Sequence, residues 1–284
     1  MKKFKLKHSI ITALLVLICV VLSGCYDNDN SNSTSKENVS NNSTSVYSDS
    51  SLKSSNTDKT NSNILSSINE KTSSVVDSSK LNDNQPQKLL DLLKKSNCSI
   101  NDLQTKNCEQ LITVTSDGNL AKICFFELQE NVWCEVDNIN CTGYIGKNGI
   151  KVNKSEGDKC TPAGLFGIGS AFYINQKPTT GLDCFKITED SYWVDDPNSK
   201  FYNQYVEGTD KKDWESAEHM IDYSRYKYGF TINYNMEQKP DLGSAIFFHT
   251  GNSYTAGCVS AKEENVLNYL SLLNKTKNPY ILLQ

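Results

Sequence analysis

Near the C-terminus of this 284-residue chain, a histidine and a cysteine stand nine residues apart, His249 and Cys258. The apolar run Ala245-Ile246-Phe247-Phe248 delivers His249 at its end, and a polar, Gly-containing loop follows. Thr255-Ala256-Gly257-Cys258 then leads into Ser260 and Glu263, the spacing of a helix capping box. This pattern predicts Cys258 just ahead of a helix N-terminus, where partial positive charge favours thiolate over thiol. A nearby imidazole can take the thiol proton and later return it to a leaving amine. Gly257 permits a tight turn, so the N–H groups of Gly257 and Cys258 could face a developing oxyanion. The chemistry is acyl transfer through a thioester, with Cys258 as nucleophile and His249 as base. The bland alternative is a buried cysteine and a core histidine. The glycine before the cysteine and the cap predicted after it favour the chemical reading.

The elements that must position this pair are mostly strands. Leu111 to Thr115 is one apolar run, and Ala121 to Leu128 with Val132 to Val136 reads as a hairpin about Gln129–Asn131. Tyr144-Ile145, Ile150 to Val152 and Leu165 to Ile168 continue the series, with Phe230 to Tyr234 and Ala245 to Phe248 as late strands. A short amphipathic helix over Lys88 to Lys95 opens the domain. A final helix with Val266, Leu267, Leu270 and Leu273 on its apolar face precedes a closing strand, Pro279 to Leu283. The fold class expected is mostly β with a few helices.

The first 85 residues read differently. Lys2 to Lys7 form a basic region and Ile10 to Leu22 an apolar one, and Leu22-Ser23-Gly24-Cys25 resembles a bacterial lipobox. A signal peptide over 1–24 is expected, with Cys25 lipidated; an ordinary signal peptide or an anchor helix is the alternative. Either places the rest outside the cytoplasm, at the membrane face or in the wall. From 25 to 85 the chain is Ser, Asn, Asp, Thr and Lys without sustained periodicity, a disordered tether spanning roughly 40–50 Å. The folded domain is expected over 86–284.

Formal charge is -4, and loss of Lys2, Lys3, Lys5 and Lys7 takes the mature chain to about -8. An acidic chain whose single arginine is Arg225 is a poor candidate for nucleic-acid binding, so no nucleic-acid partner is expected. Of ten cysteines, seven stay once Cys19, Cys25 and Cys258 are set aside: Cys98, Cys108, Cys124, Cys134, Cys141, Cys160 and Cys184. Cys124 with Cys134 across the hairpin, or Cys98 with Cys108, could bridge; buried free thiols are the alternative. No CxxC occurs and only His219 and His249 survive maturation, so no metal site is expected.

At the His249–Cys258 segment the chain resembles the L,D-transpeptidase (YkuD-type) catalytic domain family, whose signature is a histidine, a loop, then Ser/Thr-x-Gly-Cys. Gly157-Asp158-Lys159-Cys160-Thr161-Pro162-Ala163-Gly164-Leu165-Phe166 resembles the family's Asp-x-x-Thr-Pro-x-Gly-x-Phe run. Tyr192-Trp193-Val194-Asp195-Asp196-Pro197-Asn198-Ser199 and Ser216-Ala217-Glu218-His219 resemble segments of a lipoprotein-like branch. The resemblance covers about residues 110–284. It implies a β-sandwich-like catalytic fold with no cofactor, and peptidoglycan stem peptides as partners. Cys258 would attack the carbonyl after the L-centre of a diamino acid, release D-alanine and pass the acyl group to a neighbouring stem amine. Water as acceptor would make the enzyme an L,D-carboxypeptidase. Carbapenem-type β-lactams should then acylate Cys258.

The chain departs from the pattern at Ala256, where many members have a histidine, and at Ser260, where many have Arg or Asn. Arg225 could instead clamp a substrate carboxylate. His219 could be a second imidazole of the site, Tyr192 and Trp193 could wall the cleft, and Thr255 could contact substrate. Two other classes stay open: a cysteine peptidase or amidase of wall peptides, against which the His-before-Cys order counts, and a non-catalytic wall-binding lipoprotein.

Overall fold

The computed structural model describes residues 84–284. The expected signal peptide, Cys25 and all but the last two residues of the expected tether lie outside the described residues. Among the described residues, no helix is long and apolar enough to cross a membrane.

Among the described residues three α-helices and fifteen strands follow in chain order. Helix α1 is Gln87–Lys95 and α2 is Ile100–Thr105. Strands β1 Gln110–Asp117, β2 Leu120–Gln129, β3 Val132–Glu135 and β4 Cys141–Tyr144 come next. Then come β5 Ile150–Lys151, β6 Thr161–Pro162, β7 Gly164–Tyr173, β8 Cys184–Lys186 and β9 Ser191–Val194. Strands β10 Tyr205–Glu207, β11 Ala217–His219, β12 Tyr228–Ile232, β13 Phe247–Thr250 and β14 Val259–Ala261 lead to α3 Glu263–Leu272 and β15 Pro279–Leu283.

The main sheet runs β1-β15-β7-β12-β13-β14-β4-β2-β3, and β2 also pairs with β1, so eight of its strands close into a ring. Closure removes the exposed edges that a sheet otherwise presents. Residue parity explains why β1, β2 and β15 read as continuous apolar runs. Ile112, Val114, Ile123, Phe125, Ile281 and Leu283 enter the central core with α3. Their neighbours Leu111, Cys124, Phe126 and Leu282 face the other way, where Leu89, Leu93, Ile100 and Leu103 of α1 and α2 cover them. A strand buried on both faces carries no alternation. A separate three-stranded sheet, β10-β9-β11, stands beside a third apolar cluster containing Phe172, Met220, Tyr226, Phe247 and Cys258.

The hairpin forms where expected, with Glu130 and Asn131 at positive φ in its turn. All eight cysteines of the described residues are free thiols. Cys124 lies opposite Thr113 and Cys134 opposite Glu127, so the cross-strand bridge left open in the sequence is not made. Cys98 and Cys108 turn instead to the carbonyls of Ser96 and Gln110.

One expectation is overturned at the centre of the case. Cys258 does not precede a helix N-terminus. Val259–Ala261 forms β14, parallel to β13, and α3 starts at Glu263 with Lys262 as its N-cap. Ser260 is no cap: its hydroxyl donates to Ser253 O at 2.9 Å. Pairing with the histidine strand takes the backbone that the capping box would have used.

Candidate active site

Strand parity places the histidine and the cysteine on one face. Along β13, Phe248 enters the central core, while Phe247 joins the cluster that contains Cys258. His249, two residues after Phe247, returns to that side. In β14, Val259 and Ala261 enter the core, so Cys258 and Ser260 face out. The parallel register sets Phe248 beside Val259 and His249 beside Ser260. Both His249 and Cys258 line a cleft of about 630 Å³, and Cys258 is 7% exposed on its floor.

The loop joining these strands is pinned by hydroxyls. Thr255 Oγ1 donates to Cys258 O at 2.6 Å and accepts from Gly257 N–H at 3.0 Å. Thr255 therefore shapes the turn while lining the cleft, its hydroxyl hydrogen committed to Cys258 O. The Gly257 N–H, expected to face an oxyanion, is taken by Thr255 Oγ1, which leaves the Cys258 N–H as the remaining donor of the pair. Thr161 Oγ1 donates to Gly257 O at 2.7 Å and accepts from Gly146 N–H at 2.8 Å. The Asp-x-x-Thr-Pro run thus supports the cysteine turn from beneath.

The resting protonation state follows from burial. Cys258 Sγ donates to Ala245 O at 3.2 Å and accepts from Phe247 N–H at 3.3 Å. Burial, then Glu218, pushes the thiol up to about 12, against the Phe247 N–H, Arg225 and Lys154. His249 is 2% exposed, and burial lowers it to about 4, partly offset by the Thr250 carbonyl. Nδ1 lies 2.9 Å from Thr250 O, and a carbonyl only accepts, so the hydrogen is assigned to Nδ1 and Nε2 keeps the lone pair. The site therefore rests as a neutral thiol and a neutral imidazole oriented to accept a proton. The expected low thiol pKa is corrected: a strand start in apolar surroundings provides no helix dipole.

The remaining expected residues divide. Arg225 lines the cleft, its guanidinium over the rings of Tyr223 and Tyr226 at 4.3 and 5.4 Å. His219, Tyr192 and Trp193 do not line it. In β9 and β11, Tyr192 pairs with His219 and Trp193 with Glu218. His219 stacks on Tyr192 at 4.7 Å and is held between Glu189 O and Asp222 Oδ2. Trp193 stands behind the site, edge-on to Phe247 at 4.8 Å. Its Nε1 donates to Asn203 Oδ1, which also accepts from the Ala245 N–H at 3.1 Å. Ala245 sits at φ 52°. For an L-residue that conformation costs about 1–2 kcal/mol.

The opposite parity brings in a residue that the sequence reading passed over. Glu218 lines the cleft beside its flagged neighbour His219 and accepts from the Tyr226 hydroxyl. The Tyr226 ring meets the His249 ring edge-on at 5.3 Å. Burial raises the Glu218 carboxyl, against the Tyr226 hydroxyl and Arg225. Asp195, Glu156 and Lys154 also line the cleft. Asp195 and Glu218 sat inside the segments quoted for the family resemblance; Lys154 carried no signal beyond its place four residues before Asp158.

A family model described as the L,D-transpeptidase catalytic domain, YkuD, matches residues 132–280. No curated protein gives a significant sequence match. Among solved structures, the helical cell shape determining protein Pgp2 from Campylobacter jejuni aligns at 13% identity with a TM-score of 0.35. That alignment covers 62% of this chain and 47% of the other, so the chain spans less than half the length of that protein. The family model covers more than half of the 284 residues, and the chain belongs to the L,D-transpeptidase catalytic domain family.

Proposed function

We propose that this domain catalyses L,D-transpeptidation of cell-wall stem peptides, with Cys258 as nucleophile and His249 as general base. The observation that carries the reading is an unbridged Cys258 sulfur on the floor of an open cleft shared with a neutral, oriented imidazole. In the first step the thiol proton passes to His249 Nε2 as Sγ attacks the donor carbonyl. The C–N bond to the terminal D-alanine breaks, its amine takes the proton back, and a thioester is left. In the second step the amine of a neighbouring stem attacks the thioester and gives up its proton to His249, the C–S bond breaks, and the imidazole passes that proton to the departing sulfur, which restores the thiol. Water in place of that amine gives the shortened stem of an L,D-carboxypeptidase.

Because the thiol rests on Ala245 O, it must turn from that carbonyl before the imidazole can receive its proton. The N-terminal segment, read as a lipidated anchor and tether, would hold the domain at the extracytoplasmic face of the cell membrane, within reach of the wall. Full-length protein incubated with stem tetrapeptides should release D-alanine, and Cys258→Ala should release none. Undiminished release by that variant would sink the proposal. New cross-links in the products mean transfer, whereas shortened stems alone mean hydrolysis. Intact-mass spectrometry after carbapenem incubation should show one adduct, located on Cys258.

A further inference from the structure

A sulfur nucleophile in apolar surroundings needs a source of positive potential. The helix N-terminus that the sequence suggested is replaced by β14. The charged and titratable groups that share the cleft with Cys258 include the carboxyls of Glu156, Asp195 and Glu218, His249 from β13, Arg225 and Tyr226 from the 3-10 turn Ser224–Lys227, and the lysines Lys147, Lys154 and Lys159. His249 rests neutral, the carboxyls have the wrong sign, and Lys147 and Lys159 are exposed. Arg225 is exposed, so water and salt screen it.

Lys154 differs from these. Its side chain is only 2% exposed, although it lines the cleft. Its Nζ donates to Asp158 Oδ1 at 2.9 Å and Ser155 O at 3.2 Å. Lys151 Nζ approaches the other Asp158 oxygen at 3.6 Å. Two glycines leave room for the lysine stem. A Cβ at Gly243, where φ is +105°, would lie 2.6 Å from Lys154 Cε, and one at Gly257 would lie 3.7 Å from it. Asp158 is committed elsewhere as well. Its oxygens accept from the Ser155 and Cys160 N–H groups, both at 2.9 Å. Burial pushes its carboxyl up, but Lys154 and these N–H groups outweigh that and hold it at about 2. An ammonium is costly to bury, and a surface lysine could have met Asp158 without that cost. The fold seats this one against the cysteine turn.

We propose that Lys154 is a positioning residue of this site: its buried ammonium, held by Asp158 against the Gly257–Cys258 turn, stabilises negative charge on the Cys258 sulfur. The proposal rests on the reading of Cys258 as nucleophile. It also gives the Gly157–Pro162 segment a double task, with Thr161 holding the turn and Asp158 holding the charge beside it.

Iodoacetamide modification of the Cys258 peptide, followed by mass spectrometry across pH in the full-length chain, tests this without any cell-wall substrate. Lys154→Met keeps the stem and removes the charge. Its rate–pH curve should move up by about one unit, about tenfold slower at a given pH on the rising limb. Lys154→Met/Asp158→Asn removes both charges and leaves no unpaired buried ion, so it carries the test if the single variant does not fold. It should show a displacement in the same direction, smaller than that of the single variant because the opposing Asp158 charge goes with the ammonium, at a melting temperature near that of wild type. A folded double variant whose curve superimposes on the wild-type curve overturns the role of Lys154 and leaves acyl transfer standing. A wild-type Cys258 inert to the reagent at every pH overturns both.

Discussion

His249 and His219 both lie on short strands, and their surroundings give them opposite chemistry. His249 is enclosed beside Tyr226, its Nδ1 bonded to a single carbonyl, and burial keeps the ring neutral with a pKa of about 4. His219 keeps 28% of its side chain exposed and places both ring nitrogens against acceptors, Glu189 O at 2.7 Å and Asp222 Oδ2 at 3.0 Å. Two acceptors call for two N–H donors, and its pKa is raised, first by the Glu189 carbonyl. Number of acceptors and depth, not residue type, separate an imidazole that can take a proton from one that holds a charge.

The widest separation between the two should appear in activity. His249→Gln should slow Cys258 acylation by about 10²–10⁴-fold, the usual worth of a general base. His219→Gln, outside the cleft, should stay within about threefold of wild type. Rates of D-alanine release from tetrapeptide stems measure both, and similar losses in the two variants would erase the distinction.

Next comes pH-dependent stability, where the signs are opposed. Between about pH 6.5 and 4 the unfolded chain binds a proton on His249 that the folded chain does not, so stability falls as pH drops through that window. The loss is roughly 3 kcal/mol. For His219 the folded state holds its proton more tightly. Its contribution is complete below about pH 6.5 and disappears as pH rises through the raised value. Urea titrations of wild type, His249→Gln and His219→Gln at several pH values should show the first variant flattening the acid side and the second the neutral side. The opposite assignment would contradict the reading.

The smallest effect concerns the support of the cysteine turn. Thr161→Val removes the donor to Gly257 O and the acceptor for Gly146 N–H, both buried. About 2 kcal/mol of stability should be lost. Thiol modification of Cys258 should become faster as the turn loosens. A variant with wild-type melting and wild-type thiol reactivity would show that the turn holds without Thr161.

Much of the frame was legible in the residues. The Leu111 and Ala121 runs, the hairpin at Glu130-Asn131, the helix at Lys88–Lys95 and the closing strand all form near their expected bounds. Helix α2 was missed although Ser99 and Asp102 form a capping box, because six residues are too few to show a helical period. Strands β8 to β11 were missed for a related reason. Each spans three or four residues, too short for alternation to register.

Ser260 and Glu263 misled more seriously. Their spacing satisfies a cap, yet Ser260 spends its hydroxyl on Ser253 and its backbone on the sheet. A local signal gives way when a tertiary partner offers the same groups a fuller set of hydrogen bonds. The substrate-facing residues suffered similarly: His219 and Tyr192 drew notice as reactive or aromatic, but strand parity put Glu218 in the cleft.

What the sequence by itself determined is the inventory and the spacing: a histidine at a strand end, a Gly-Cys turn nine residues on, a Thr-Pro run, and short apolar runs able to form a sheet. Only the tertiary structure decided which face each strand shows, that a buried lysine stands beside the cysteine, and that the thiol and the imidazole rest uncharged. Face, depth and neighbouring charge depend on residues far apart in the chain, as Lys154 and Cys258 are, and a local pattern holds no record of what will pack against it.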